Sequence, residues 1–228
     1  MKRMAITLLL GLCVLSVAGP PAASAQTLIF DYVGFDYESP NPNPGTFGEP
    51  GSGYVGVGYV PNLFLPLVAD TVNNQYTYHF SGLTPVGSSV IGPYTIINYS
   101  PGTLSVYEDP KSTGTYGDFG VNPPNGVSPG TFTDGNLYLQ GSLTGFQFVI
   151  NNSNGTGSFE SAFTVTGGSQ YGNVFAAGQL NGWTFAGSSS NALNIPAGYE
   201  HQIDGQTFLN APTSSKRTSW GNIKSLYR

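Results

Sequence analysis

The sequence predicts an all-β protein: an antiparallel two-sheet sandwich, jelly-roll-like or similar, followed by a short C-terminal helix or flexible tail. Three observations support this fold class. Apolar and polar residues alternate with a period of two along most of the chain, which is typical of strands with one buried face. Turn-forming residues, among 32 Gly and 17 Pro, separate the alternating segments. Before Pro212, no segment has the 3.6-residue period of an amphipathic helix, which disfavours parallel βαβ units.

The alternation predicts about ten short strands. The clearest is 76–80, where Tyr76, Tyr78 and Phe80 alternate with polar residues. The other predicted strands are 28–37, 54–60, 94–99, 104–106, 137–139, 146–150, 159–165, 182–185 and 206–209. Strands of this kind bury one face of each sheet in a sandwich.

Turn chemistry predicts how some of these strands are joined. Asp134-Gly135 and Asp204-Gly205 lie between alternating segments, and glycine accepts the positive φ angle that tight hairpins require. The polar segment 151–157 lies between two strands with clear patterns. We therefore expect hairpins at these places.

Residues 1–25 have the pattern of a secretory signal peptide. Lys2 and Arg3 form its positive start, an apolar stretch follows at 5–17, and small residues occupy the cleavage positions at 23–25. The apolar stretch has about 13 residues, fewer than the roughly 20 that a membrane-spanning helix needs. We therefore expect a secreted protein, extracellular or at the cell surface, with no transmembrane span.

The rest of the chain divides into one β-sandwich domain at 26–211 and a linker with a basic amphipathic tail at 212–228. A domain of about 200 residues is within the usual range for a single sandwich or barrel. Cys13 is the only cysteine and lies in the signal peptide. The exported chain can therefore form no disulfide bond and no thiolate metal site.

Charge is distributed unevenly along the sequence. Between Gln26 and Ser215 there are 12 acidic residues and one base, Lys111, so this part has a net charge near −11. The last 13 residues contain four bases and no acid. The acidic body disfavours nucleic acid as a partner, because affinity for the phosphate backbone depends on Lys and Arg contacts. It would attract cations.

The tail combines its bases with apolar residues at helical spacing. Thr218 or Ser219 could cap a short helix at its N-terminus. The residues that we predict to act in sorting or interaction are Trp220, Ile223, Lys224, Tyr227 and Arg228. A helix of about ten residues is marginal alone in water, so it should order only against a partner or against the body of the protein. Cell-surface components or export machinery are the expected partners.

Two groups of acidic residues are candidates for binding Ca²⁺. This cation takes several oxygen ligands from carboxylates, Asn side chains and backbone carbonyls, which loops rich in Asp, Asn and Gly supply. The candidate ligands are Asp31, Asp36 and Glu38 in one group, and Glu108, Asp109 and Asp118 in the other. Neither group has the spacing of an EF-hand loop, and unliganded surface acids are the alternative. The sequence indicates no other cofactor.

No catalytic motif is present, so we expect a protein that is not an enzyme. The serine-hydrolase pattern GxSxG and the zinc-protease pattern HExxH are both absent. A histidine-dependent site must use His79 or His201, the only two histidines. Glu200, His201 and Asp204 could bind a metal, although polar residues beside a turn are usually only solvated. An extracellular hydrolase stays open as an alternative, because distant carboxylates can meet in the fold.

Aromatic residues make up 13% of the sequence and point to glycans as another kind of partner. An aromatic ring offers an apolar face to a sugar, and Tyr and Trp add a polar group. The candidate platform residues are Tyr32, Tyr37, Tyr54, Tyr59, Tyr94, Tyr99, Tyr107, Tyr116, Tyr138, Tyr171 and Trp183. A carbohydrate-binding β-sandwich is therefore an alternative function, and packing in the core is the other explanation for these rings.

Short phrases in the body and at the C-terminus resemble those of a group of exported bacterial proteins. The phrases are Phe132-Thr-Asp-Gly135, Gly157-Ser-Phe-Glu160 and the closing Ser219-Trp-Gly-Asn-Ile-Lys-Ser-Leu-Tyr-Arg228. With the signal peptide, they make the chain similar to uncharacterised secreted β-rich proteins of environmental bacteria that have a short C-terminal W-G-x-I-K-x-L-Y-R tail. The resemblance implies export and a C-terminal address, and it implies no activity.

Together these features predict a secreted or cell-surface, non-enzymatic protein with a structural or adhesive role. Its tail is expected to act in sorting or attachment. A carbohydrate-binding β-sandwich and an extracellular hydrolase are the two alternatives.

Overall fold

The computed structural model describes residues 25–40, 46–111, 129–191 and 195–211. Most of these residues lie in strands, so the prediction of an all-β protein is confirmed. In chain order the strands are β1 (Ala25–Ser39), β2 (Gly53–Leu63), β3 (Asn74–Leu83), β4 (Pro85–Ile91), β5 (Tyr94–Tyr99), β6 (Gly102–Pro110), β7 (Asn136–Asn151), β8 (Thr156–Gly167), β9 (Trp183–Ser190) and β10 (His201–Ala211). Two short helical segments accompany them, a 3₁₀ helix at Pro129–Phe132 and α1 at Tyr171–Ala176.

Eight of the strands close into a single antiparallel barrel. Around the barrel their order is β1, β2, β3, β6, β7, β8, β9 and β10, and β10 lies beside β1 again. Closure depends on β8, which pairs with β7 on one side and with β9 on the other. The predicted two-sheet, jelly-roll-like sandwich is therefore wrong, because one continuous sheet encloses the core.

Glycines that face the interior explain how the sheet can close around its core. Gly34 of β1 lies opposite Gly58 of β2, and a Cβ atom on either would collide with the other strand and with Tyr78. Gly205 of β10 leaves similar room for the ring of Tyr32. Because glycine has no side chain, these positions leave room for large rings inside a tightly curved barrel wall. Alternation alone does not distinguish a sandwich from a barrel, because both bury one face of every strand.

Aromatic rings fill the interior of the barrel. Tyr32 stacks on Phe185 with ring centroids 4.7 Å apart, and Tyr54 stacks on Phe148 at 5.3 Å. The rings of this core include Phe30, Tyr32, Tyr54, Tyr78, Phe80, Phe146, Phe148, Phe159 and Phe185. Burying such large apolar surfaces is the main source of stability for a domain without disulfide bonds.

Two strands extend beyond the barrel as a hairpin, which we name the arm (β4 and β5). β5 pairs with residues 147–151 of β7, whereas β6 pairs with residues 136–143 of the same strand. Among the described strands, β4 pairs with β5 alone and so forms an edge of the sheet. The sequence does not predict β4, because Pro85, Gly87 and two serines leave it without a pattern of alternation.

One predicted hairpin is confirmed and another is wrong. The loop at 151–157 joins β7 to β8, which pair antiparallel. Asp204 and Gly205, however, lie inside β10 and pair with β9. An Asp-Gly pair often forms a turn, because glycine readily adopts the positive φ angle that a tight hairpin requires. Here the glycine lies in a strand and leaves space for the ring of Tyr32. The predicted strands 137–139 and 146–150 are likewise two parts of one strand, β7.

The two ends of the barrel differ. We name the end with the last residues of β1 and the first residues of β10 the mouth, and the opposite end the base. At the base, Val174 of α1 and Trp183 of β9 are buried in the core. Gln26 and Asn210 meet there, with Nε2 of Gln26 donating to Oδ1 of Asn210 at 3.4 Å.

Residues Gln26–Ala211 form one compact unit. No helix in the part of the chain that the structure describes has the length and apolar character needed to cross a membrane. Residues 1–24 of the predicted signal peptide (1–25) and the predicted tail at 212–228 lie outside the described residues. The predicted short C-terminal helix therefore stays a prediction.

Candidate functional site at the mouth of the barrel

Two acidic side chains point into the barrel at its mouth. Asp36 and Glu38 of β1 lie on the same face of the strand as Phe30 and Tyr32, which belong to the interior core. Asp36 is 0% exposed and Glu38 is 4% exposed. Buried carboxylates are costly unless donors surround them, so their hydrogen bonds define this site.

Asp36 accepts hydrogen bonds from two different elements of the barrel. The hydroxyl of Tyr54, on β2, donates to Oδ2 at 2.7 Å. The backbone N–H of His201, at the start of β10, donates to Oδ1 at 2.9 Å, and the ring Nδ1 of His201 lies 3.1 Å from the same oxygen. Asp36 therefore fixes the position of the imidazole and ties β10 to β1.

Glu38 holds the loop that precedes β2 over the mouth. The backbone N–H of Gly48 donates to its Oε1 at 2.7 Å, and the hydroxyl of Ser52 donates to Oε2 at 2.8 Å. The hydroxyl of Tyr99, from β5, reaches Oε1 at 3.2 Å. Both carboxylate oxygens are thus engaged by the protein itself.

The pKa of His201 is raised above its usual value of 6.5. Burial would lower this pKa, but the hydrogen bond and the charge of Asp36, together with the charge of Glu200, outweigh burial. The imidazole also stacks on the ring of Phe47, with centroids 4.8 Å apart. His201 is therefore an imidazole held in place by Asp36 and protonated more readily than a free histidine.

Beside His201 lies a cavity of about 270 Å³, which we name the mouth cavity. Its lining residues are Thr46, Phe47, Thr95, Ile150, Asn152, Gly155 and His201. Thr95 and Asn152 hydrogen-bond to each other, with Nδ2 of Asn152 donating to Oγ1 of Thr95 at 3.0 Å. Because Nδ1 of His201 faces Asp36, Nε2 is the ring nitrogen available to the cavity. The cavity thus combines an imidazole, an amide and a hydroxyl with apolar surface.

The tyrosines that surround the acids are held in their neutral form. Burial raises the pKa of Tyr54 well above 10, and the charge and hydrogen bond of Asp36 raise it further. Burial likewise raises the pKa of Tyr99, with a further contribution from Glu38. Both hydroxyls therefore remain donors to the carboxylates over the physiological pH range.

The first predicted calcium group is divided by the wall of the barrel. Asp36 and Glu38 face the interior, whereas Asp31 accepts hydrogen bonds from the amides of Asn62 at 3.0 Å and Gln206 at 3.3 Å on the outer face. The bulge between Asp31 and Val33 does not bring the three acids together. These three residues therefore do not form one ligand set.

The second predicted calcium group lies toward the base. Glu108 accepts hydrogen bonds from the Tyr76 hydroxyl at 2.6 Å and from the Asn74 amide at 3.0 Å. Its neighbour in sequence, Asp109, is bonded to Gln75 at 2.6 Å, and Asp118 lies outside the described residues. Among the residues that the structure describes, no group of three or more His, Cys, Asp or Glu side chains could hold a metal ion. Calcium binding stays an untested prediction.

Six of the eleven candidate platform residues are buried. Six of the aromatic residues proposed from sequence are in the core: Tyr32, Tyr37, Tyr54, Tyr99, Tyr138 and Trp183. Tyr94 and Tyr171 are exposed, on the arm and on α1. Tyr116 lies outside the described residues. These rings therefore do not make one flat platform, and the aromatic residue at the mouth cavity is Phe47, which sequence reasoning missed.

The two histidines lie on opposite faces of the barrel wall. His79 pairs with Val57 and Ser105 on the outer face, and burial lowers its pKa. His201 faces inward. The two histidines therefore do not act together, and the mouth cavity involves His201 alone.

The pair formed by Asp36 and His201 resembles the acid and base of a hydrolase, but no serine or threonine nucleophile is bonded to it among the described residues. Nucleophilic catalysis needs a hydroxyl or thiol within hydrogen-bond reach of the base. In the mouth cavity, the Thr46 hydroxyl donates to Glu49 at 3.3 Å and the Thr95 hydroxyl is bonded to Asn152. No serine or threonine hydroxyl among the described residues is hydrogen-bonded to His201.

Sequence reasoning placed His201 with Glu200 and Asp204, whereas its partner is Asp36, 165 residues away. One signal was readable: Asp36 and Glu38 continue the alternation of core residues in β1, so two acids occupy positions in phase with the core. The partners of these acids could not be inferred, because they depend on which strands become neighbours.

The chain matches no protein-family model, no curated protein and no solved structure.

Proposed function

We propose that the protein is an exported, non-enzymatic binding protein with an adhesive role, and that its mouth cavity binds one ring of a neutral sugar. The observation that carries this proposal is the imidazole of His201, which Asp36 orients toward a cavity that Phe47 and Asn152 also line. The sequence indicated a glycan-binding platform made of tyrosine rings. The glycan site proposed here is the mouth cavity instead.

The composition of the mouth cavity suits a polyhydroxylated ligand. Nε2 of His201 and the amide of Asn152 are planar polar groups at fixed positions, and such groups give a sugar site its specificity. Phe47 and Ile150 supply apolar surface for the C–H groups of a sugar ring. The cavity volume of about 270 Å³ is at the lower end of small-molecule sites, so it suits one ring and not a long oligosaccharide.

Charge favours a neutral sugar over an acidic one. Asp36 and Glu38 lie directly behind the mouth cavity, and the chain from Gln26 to Ser215 has a net charge near −11. One protonated imidazole does not offset this potential, so an anionic ligand would be repelled. Uronic acids and sialic acids are therefore poor candidates.

The described polypeptide enters and leaves the barrel at the base. Gln26 and Asn210 lie together there, at the opposite end of the strands from the mouth cavity. The mouth cavity is therefore not flanked by the first residues of β1 or the last residues of β10.

An NMR titration tests sugar binding directly. Neutral monosaccharides and a uronic acid are added to the ¹⁵N-labelled protein, and amide shifts are recorded. We expect shifts at Phe47, Asn152 and His201 with at least one neutral sugar and none with the uronic acid. Asn152→Ala should abolish them, whereas Asn98→Ala, on the exposed face of β5, should not. Absence of shifts with every neutral sugar contradicts the proposal.

We also propose that residues 220–228 act in sorting or attachment at the cell surface, after export directed by residues 1–25. The support comes from the sequence, in which Trp220, Ile223 and Tyr227 have helical spacing and Lys224 and Arg228 flank them. Deleting 220–228 and fractionating the producing cells tests this role. The shortened protein should be released or retained in a different fraction, and an unchanged location contradicts the proposal.

A further inference from the structure

Three neighbouring strands form one continuous wall beside the mouth cavity. Thr95 of β5 lies opposite Ile150 of β7, and both residues line the mouth cavity. On its other side, Thr95 lies opposite Val90 of β4. Side chains that are directly opposite in antiparallel strands point to the same face of the sheet, with Cβ atoms about 5 Å apart. Val90 therefore continues the wall of the mouth cavity onto the arm.

Val90 presents apolar surface just outside the mouth cavity. Its side chain is 70% exposed, on the edge strand of the sheet that the structure describes. Edge strands of natural proteins are often protected by charges, but no Asp, Glu, Lys or Arg occurs between Asp70 and Glu108. Binding sites combine apolar surface with a small number of polar groups. The mouth cavity provides the polar groups, and Val90 adds apolar surface beside them.

The mouth cavity has room for only part of a larger ligand. Its volume of about 270 Å³ suits one sugar ring, so a substituent on that ring must lie outside it. The wall formed by Ile150, Thr95 and Val90 leads from the cavity to solvent. A substituent that leaves along this wall passes over Thr95 and rests on Val90.

The surroundings of Val90 favour an apolar substituent over a second sugar ring. The Thr95 hydroxyl is already hydrogen-bonded to Asn152. The next side chain of β4 on the same face is Ser88, about 7 Å farther along the strand, and Ile91 points to the opposite face. A second ring on Val90 would lose water from its hydroxyls without gaining partners for them, which costs binding free energy. An alkyl or aryl group has no such cost and gains from burial.

We propose that the ligand of the mouth cavity is a neutral glycoside with an apolar aglycone, whose sugar ring occupies the cavity and whose aglycone lies on Val90. This inference rests on the proposed binding of a neutral sugar and adds the chemical class of the group attached to it. His201 and Asn152, in the cavity, recognise the ring. Val90 is then a specificity-determining residue, because it contacts the aglycone and not the sugar.

Isothermal titration calorimetry with alkyl glycosides tests the inference. Methyl and hexyl glycosides of glucose, galactose and mannose, each as both anomers, are titrated into the protein. The two members of a pair carry the same sugar and differ only in the alkyl chain. Burying a pair of methylenes on Val90 should raise the affinity about 15-fold. We therefore expect at least one hexyl glycoside to bind more tightly than its methyl counterpart by about this factor.

Substitutions show whether Val90 is the source of the gain. Val90→Ser removes apolar surface at an exposed position, so it should bring the affinity for the hexyl glycoside close to that for the methyl glycoside, which should not change. Val72→Ser is the matched control, because Val72 is 80% exposed and lies outside the arm, and it should keep the wild-type ratio. Asn152→Ala, in the cavity, should abolish binding of both glycosides.

The outcomes separate this inference from the proposed function. If a methyl glycoside binds and no hexyl glycoside binds more tightly, sugar binding stands and the aglycone site is overturned. A gain with the hexyl chain that survives Val90→Ser overturns it as well. So does a disaccharide such as lactose or cellobiose whose second ring gains as much affinity through Val90. If neither methyl nor hexyl glycosides bind, the sugar site itself is contradicted and the inference fails with it.

Nuclear Overhauser effects between ligand and protein locate the alkyl chain directly. With the hexyl glycoside that binds most tightly, we expect contacts from the terminal methyl group of the chain to the methyl groups of Val90 and none to those of Val72. Absence of contacts to Val90 overturns the proposed position of the aglycone.

Discussion

Asp36 accepts hydrogen bonds from both the backbone N–H and the ring Nδ1 of His201, across 165 residues of sequence. The same carboxylate accepts the hydroxyl of Tyr54. One buried acid thus connects β1, β2 and β10 at the mouth of the barrel. Stability and the candidate binding site therefore depend on the same group.

Replacing Asp36 should strongly destabilise the fold. Asp36→Ala leaves the Tyr54 hydroxyl and the His201 imidazole without their acceptor in a buried setting, and losing one partner of such a group costs about 3–5 kcal/mol. Urea unfolding monitored by tryptophan fluorescence measures this loss. Asp31→Ala, on the outer face of the same strand, should cost less than about 1 kcal/mol. Equal losses in the two variants would show that the buried hydrogen bonds of Asp36 contribute no more to the free energy of unfolding than the hydrogen bonds of Asp31 on the outer face.

The raised pKa of His201 predicts a pH dependence of stability. Since folding raises this pKa above 6.5, the protonated imidazole stabilises the native state fully below pH 6.5. That contribution is lost as the pH rises through the folded pKa. The free energy of unfolding should therefore decrease as the pH rises above about 6.5, and His201→Gln should flatten the curve.

His79 provides the control for this pH dependence. Burial lowers its pKa, so its contribution is complete above its usual value of 6.5 and is lost only as the pH falls through the folded pKa. His79→Gln should therefore leave the slope above about pH 6.5 unchanged. If His79→Gln flattens the curve as His201→Gln does, the pH dependence does not come from Asp36 and His201.

The interior tyrosines predict unfolding at alkaline pH. Burial raises the pKa of Tyr32, Tyr54 and Tyr78 well above 10, so these hydroxyls stay protonated in the native state. They ionise readily in the unfolded chain, and stability should therefore fall as the pH rises above about 10. Tyrosinate absorbance should increase in two stages, with exposed tyrosines first and interior tyrosines only when circular dichroism reports unfolding. A single smooth titration in the folded protein would contradict this.

The inward-facing glycines predict a sharp difference between two similar substitutions. Gly58→Ala places a methyl group against Gly34 and the ring of Tyr78, and overpacking of this kind costs about 1–3 kcal/mol or more. Gly87→Ala, on exposed β4, meets nothing within 4 Å and should be close to neutral. Thermal unfolding compares the two variants. A neutral Gly58→Ala would show that close approach of β1 and β2 is not required for closure.

Local pattern predicted most strands but not their arrangement. The alternation of Tyr76, Tyr78 and Phe80 identifies β3 because each residue's burial follows from its place on the pleat. A sandwich and a barrel share this alternation, and the difference lies in which strands pair. The small inward residues Gly34 and Gly58 favour tight curvature, but their facing positions appear only once β1 and β2 are in register.

The candidate site was predictable only in part. The sequence identified Asp36 and Glu38 as candidate calcium ligands. In the structure, Asp36 is hydrogen-bonded to His201 and Glu38 to Tyr99. Phe47 was not identified, because its role depends on how Glu38 holds the loop beside it. Side chains that meet across the barrel leave no spacing signal in the sequence.

Closure of the barrel also sets the order of events during folding. β1 needs β10 as its neighbour, so the first strand has no partner on one side until the last strand is available. Contacts between residues far apart in sequence form slowly. Closing the long intervening loop costs conformational entropy before these contacts can stabilise the structure. A chain emerging from the ribosome therefore cannot complete its barrel early. It remains incompletely folded until β10, which begins at His201, has been synthesised.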